Sequence, residues 1–135
     1  MRAKLRDIAQ ASGADPKGAL FDAVAHALPK LRVFHNKVLV ATYIRPEKTK
    51  GGIYLADRSL DEDRFQGKVG LVLMFGPRAF VDDPVNKFGG VKVEVGDWAV
   101  YTASNGRERF IDGVPCRLLD DNHIEGTTDD PDLIY

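Results

Sequence analysis

From residue 32 onward the chain is a series of short β-type runs separated by turn residues. That series restricts the fold to a small antiparallel barrel or sandwich. Val38-Leu39-Val40-Ala41-Thr42-Tyr43-Ile44 is rich in β-branched and aromatic residues and stops before Pro46. Val69 to Phe75 is a second such run, bounded by Gly67 and by Gly76-Pro77. Val91, Val93 and Val95 alternate with Lys92 and Glu94, which predicts a strand with one wet face. After a Gly96-Asp97 turn come Trp98 to Tyr101, then Arg107 to Ile111, the Asp112-Gly113 hairpin turn, and Val114 to Leu119.

Before residue 32 the pattern is helical. Leu5, Ile8 and Ala9 form a short apolar stripe that Ser12-Gly13 interrupts. Asp15-Pro16 predicts a helix start, because Asp accepts from free N–H groups at an N-cap and Pro has none to leave unpaired at the first position. Leu20, Val24, Leu28 and Leu31 then follow on one helical face, with Pro29 as the expected terminator. This face is a packing or docking element. Its scarcity of cations disfavours a membrane-surface role.

The chain has 135 residues, enough for one domain with a real core. Its 19 Lys+Arg and 20 Asp+Glu leave a net charge of −1, so the basic excess of a dedicated nucleic-acid binder is absent despite Arg2, Lys4 and Arg6. The single cysteine, Cys116, allows neither an intrachain disulfide nor a multi-Cys zinc site, and its apolar strand predicts a buried, inert thiol. No apolar run is long enough to cross a bilayer, and no secretion signal or organellar transit peptide is expected.

Three long connections interrupt the strands: residues 45–66, 76–90 and 126–135. The first is polar except for one apolar island, Ile53-Tyr54-Leu55, with Gly51-Gly52 as a hinge before it. Such an island suits a peptide that docks in a partner's groove, or equally an edge strand of the barrel.

No catalytic or metal site is expected, and no cofactor. His26, His35 and His123 share no ligand spacing and are read as surface or capping residues. Asp82-Asp83, Asp120-Asp121 and Asp129-Asp130 are read as solvated loop charges. Ser104-Asn105-Gly106 lacks a nucleophile-elbow frame, and Gly89-Gly90 lacks the helix of a phosphate loop.

From about Val33 to Gly126 the chain resembles the GroES-type co-chaperonins, the lids of GroEL-type chaperonins. The resemblance rests on motifs in order: Asn36-Lys37-Val38-Leu39-Val40 at the first strand, Lys48-Thr49-Lys50-Gly51-Gly52-Ile53-Tyr54-Leu55 at the mobile loop, Gln66-Gly67-Lys68-Val69, and Val91 to Tyr101 around Val95-Gly96-Asp97. It implies a mostly β, non-enzymatic, homo-oligomeric ring protein whose small antiparallel β-barrel is residues 33–126; the short N-terminal helical extension (1–32), which has no counterpart in the minimal family, and the C-terminal tail (127–135) lie outside it. It implies that Ile53, Tyr54 and Leu55 bind the chaperonin, that Gly51 and Gly52 permit the loop's switch, and that residues 76–90 form a roof-like loop. Tyr54 stands where the family tripeptide is normally aliphatic, and Asp57 to Arg64 is more charged than the family loop. The arm and the Pro-Glu-Lys-Thr-Lys-Gly-Gly run look more like GroES-like proteins of tailed phages. That implies either a co-chaperonin for capsid proteins in the bacterial cytoplasm, or a virion component whose Leu20, Val24, Leu28 and Leu31 dock on a major capsid or neck protein. Neither reading involves nucleic acid or a membrane.

Overall fold

Asp15 opens the first element by accepting from the Gly18 N–H at 3.0 Å, with Pro16 in the first helical position. The resulting helix α1 spans Pro16–Val24. In the computed structural model, which describes residues 15–43, 68–85 and 87–134, it is followed by a 3-10 turn at Leu28–Lys30 and six strands. These are β1 (Lys37–Thr42), β2 (Val69–Phe75), β3 (Trp98–Val100), β4 (Arg107–Ile111), β5 (Val114–Asp120) and β6 (Gly126–Thr128). All pairings are antiparallel, in the order β4-β5-β1-β2-β3-β6. Among the described residues the fold is mostly β with one short α-helix, as the strand series predicts.

β1 is the pivot. It pairs with β2 through Val38↔Phe75 to Thr42↔Gly70 and with β5 through Lys37↔Asp120 to Ala41↔Cys116. Five of its six residues are buried. A strand buried along its whole length has both faces covered, which its unbroken apolar sequence requires. Leu39, Ala41, Leu71, Trp98, Val114 and Cys116 face one layer, closed by Leu20 and Val24 of α1. Val38, Val40, Val72, Ala99, Tyr101 and Leu119 face the other, closed by Ala79 and Val93 from the long 76–97 connection. A bulge joins the two patterns: Leu39 pairs with Met74 and Val40 with Val72, so the extra residue Leu73 and its neighbour Met74 both reach the α1 layer.

The β4–β5 hairpin follows its turn chemistry. Asp112 (φ +51°) and Gly113 (φ +78°) both adopt the left-handed conformation that a two-residue primed turn demands, and Ile111 pairs directly with Val114.

Two expected elements differ. Leu28 and Leu31 do not continue the α1 face, because the helix ends at Val24. Pro29 explains the early stop: its ring clashes with the carbonyl four residues back, at Ala25. Leu28 and Leu31 are instead half-buried against the same layer as Leu20 and Val24. Residues 91–95 form no strand. Only Val93 is buried, while Val91 and Val95 are exposed. The segment packs Val93 on the sheet but hydrogen-bonds to it at its end, where Gly96 N–H donates to Val72 O and Val72 N–H donates to Asp97 O, both at 2.9 Å. Alternation without a partner strand alongside does not make a ladder.

Gly70 marks the tightest approach within the sheet. A Cβ there would lie 2.7 Å from Val40 Cγ2 and 3.2 Å from Ala41 O. Strand propensity alone favours valine over glycine, yet Gly70→Val is expected to cost about 1–3 kcal/mol through overpacking. A lower urea midpoint at unchanged m-value checks this.

Candidate partner-binding site

Residues Gly51, Gly52, Ile53, Tyr54 and Leu55 lie outside the described residues. The two points from which their segment departs do not. β1 leads into Tyr43, and β2 begins just after Lys68. Because β1 and β2 are antiparallel neighbours, these points lie side by side: Tyr43 N–H donates to Val69 O at 3.0 Å, and Thr42 pairs with Gly70. Tyr101 N–H donates to Lys68 O at 2.9 Å, tying the return point to the end of β3.

Tyr43 is buried, and its ring packs edge-on against Trp98 with centroids 5.2 Å apart. Its hydroxyl donates to Asp132 Oδ1 at 2.5 Å. Asp132 sits in a 3-10 turn, Pro131–Leu133, whose start is capped by Asp130 accepting from Asp132 N–H at 3.0 Å. Thr128 Oγ1 donates to Asp130 O and accepts from Asp130 N–H. Ile134 packs against the α1 layer. Residues 126–134 thus run as edge strand β6 on β3 and then across the base of the 44–67 segment.

The 76–90 loop is folded onto the opposite layer. Phe75, Phe80 and Phe88 form an edge-to-face series with centroid separations of 5.9 and 5.7 Å. Asp82 accepts from Phe88 N–H at 2.7 Å, and Asp83 from Val85 N–H at 2.8 Å. Asp121 is the deepest anchor. It is buried and accepts from Phe80 N–H (3.0 Å), Asn36 Nδ2 (3.1 Å) and Asn122 N–H (2.8 Å). It is therefore a structural acceptor rather than the solvated loop charge expected; Asp120 pairs with Lys37. His123 Nδ1 accepts from Asp120 N–H at 3.1 Å, the capping use anticipated for it.

Leu20 and Val24 are fully buried against this chain's own sheet. Tyr43, Asp132 and Asp121 were not legible as site residues. One signal was available for the strap beneath Tyr43: Asp130-Pro131 repeats the Asp15-Pro16 helix-start pattern.

Among the described residues, no group of three or more His, Cys, Asp or Glu is placed to hold a metal ion, and no helix is long and apolar enough to cross a membrane. Burial holds two ionisable groups, Cys116 and Tyr101, in their neutral forms. Burial pushes the Cys116 thiol up to about 12, with Glu108 adding to the rise and a backbone hydrogen bond from Ile111 opposing it. Burial likewise pushes Tyr101 up to about 12 against the opposing charge of Arg117, whose guanidinium lies 5.8 Å from the ring centroid. Arg117 itself donates to the carbonyls of Ala103 (2.5 Å) and Asn105 (2.8 Å).

This chemistry positions backbone and suppresses reactivity. The profile of the family described as Chaperonin 10 Kd subunit matches residues 30–128. A Co-chaperonin GroES of Hyphomonas neptunium is 31% identical over 100 residues, 74% of this chain and 98% of that protein. A Co-chaperonin GroES of Methylorubrum populi is 30% identical over 97 residues, covering 72% and 95%. One of Nitratidesulfovibrio vulgaris is 30% identical over 94 residues, covering 70% and 93%.

Cys116 and Tyr101 are neutral when protonated, and the fold retains their protons above the ordinary values of 9.0 and 10.0. Above pH 9 the unfolded chain releases protons that the folded chain keeps. Their contribution to stability is therefore whole below about pH 9 and is lost as pH rises toward 12. Urea midpoints measured from pH 8 to 11 are expected to fall. Cys116→Ala, though less stable throughout, is expected to fall less steeply.

Proposed function

The chain belongs to the family of the Chaperonin 10 Kd subunit, and from that premise we propose that it is a co-chaperonin that caps a GroEL-type chaperonin through Ile53, Tyr54 and Leu55. The family match across residues 30–128 carries this reading. The arrangement at Tyr43 and Lys68 supports it: the segment bearing the tripeptide leaves and re-enters through two adjacent, hydrogen-bonded strand ends.

The energetics suit a lid that must also leave. Three apolar side chains gain roughly 1.5–3 kcal/mol each on burial, against about 1–2 kcal/mol of ordering cost per fixed residue. One loop is thus a weak ligand. A ring of identical subunits multiplies it, because each loop after the first binds at high effective concentration. Gly51 and Gly52 supply the backbone freedom for the loop to adopt its bound form. Tyr54 fills the middle position with its ring in the groove and its hydroxyl at the wet margin. The protein acts by binding, in the bacterial cytoplasm. Its clients include capsid proteins, following the likeness of its arm and loop to phage-encoded GroES-like proteins.

Mixing the purified protein with a GroEL-type chaperonin and ATP is expected to give a complex that co-elutes on gel filtration. Ile53→Asp, which places a charge in an apolar groove, is expected to abolish co-elution while leaving the fold intact by circular dichroism. Absence of a complex with the parent protein, or an undiminished complex with Ile53→Asp, overturns the proposal.

A further inference from the structure

Residues 126–134 do more than end the sheet. β6 fixes this stretch to β3 through Trp98↔Thr128, Ala99↔Thr127 and Val100↔Gly126. Beyond β6 the chain turns through the Thr128–Asp130 hydrogen bonds, buries Pro131, and seats Ile134 in the α1 layer. Between those two anchor points Asp132 accepts from the hydroxyl of Tyr43, the last described residue before the 44–67 segment. Trp98 supports both partners: its ring packs on Tyr43 and its backbone pairs with Thr128.

We propose that residues 126–134 act as a strap that fixes the direction in which the chain leaves Tyr43, so that the C-terminal segment controls how well the partner-binding loop is presented. The tyrosine ring packs edge-on against Trp98, and its hydroxyl is held at the other end. A charge-assisted hydrogen bond to a carboxylate that is itself held in a capped turn sets its position. A ligand segment leaving a fixed base loses less freedom on binding than one leaving a loose base, so the strap raises affinity without touching the partner. The link to affinity rests on the co-chaperonin reading. The strap itself does not.

The test uses the full chain. Tyr43→Phe removes the donor and Asp132→Ala the acceptor of the contact, and Leu133→Ser is the control, because Leu133 lies in the same turn but is 73% exposed. Amide hydrogen exchange is read at Tyr43, whose N–H bonds to Val69 O, and at Leu39 and Ala41 in the middle of β1. Exchange at Tyr43 is expected to rise about fivefold in both variants, the factor one ordinary hydrogen bond carries. Leu39 and Ala41 are expected to exchange as in the parent, which separates release of the strap from general destabilisation. Affinity for a GroEL-type chaperonin with ATP is expected to fall several-fold in both variants and to stay unchanged in Leu133→Ser. Unchanged exchange at Tyr43 overturns the strap. Faster exchange with unchanged affinity overturns its control of presentation. Should the parent itself bind no chaperonin, the co-chaperonin reading falls and the exchange experiment alone decides the strap.

Discussion

The structure depends on one constraint: β1 is buried on both faces, so the sheet needs two covers. Neither cover comes from the strands. On one side Leu20 and Val24 of α1, with Leu28, Leu31 and Ile134 around them, close the layer over Leu39, Ala41 and Trp98. On the other, Ala79, Phe80, Val93 and Ile124 close the layer over Val38, Val40 and Tyr101. Burial of this kind stabilises by roughly 1.5–3 kcal/mol per large apolar side chain. Segments that resemble appendages in the sequence are therefore part of the core.

Polar groups work at the seams between the covers and the sheet. Asp121 holds Asn36, Phe80 and Asn122, joining the start of β1, the 76–90 loop and the end of β5. Arg117, on β5, gathers the carbonyls of Ala103 and Asn105 from the turn between β3 and β4. Arg117 directs its charge at backbone carbonyls, and Asp121 at two backbone N–H groups and the Asn36 amide, which satisfies loop groups that no ladder reaches.

Strands β1 and β2 were legible because each falls on a long apolar run rich in valine, and β5 because it follows a recognisable hairpin turn. The hairpin was legible because Asp112-Gly113 has the one chemistry its turn accepts. The start of α1 was legible from Asp15-Pro16, but not its end, because the steric reach of Pro29 acts a full turn upstream. Val91 to Val95 misled because alternation reports which side chains turn inward, not whether a partner strand lies alongside. For the site, the Ile53-Tyr54-Leu55 island stands out in the sequence but lies outside the described residues. The Tyr43–Asp132 contact was not legible: it joins positions far apart in the chain, and neither residue is unusual in its own neighbourhood.

The placement of β1 between β2 and β5 also governs how this chain comes to be folded. Residues 37–42 find one neighbour in 69–75 but must wait for 114–120 to find the other. A pairing between such distant segments carries a large loop-closure cost and makes for high contact order, hence slow folding. During synthesis the apolar β1–β2 pair emerges well before β5 can cover its open side, and an uncovered strand edge invites pairing with other chains. The order of the strands in the chain thus leaves one edge of β1 without its neighbour until the last third of the described residues is in place.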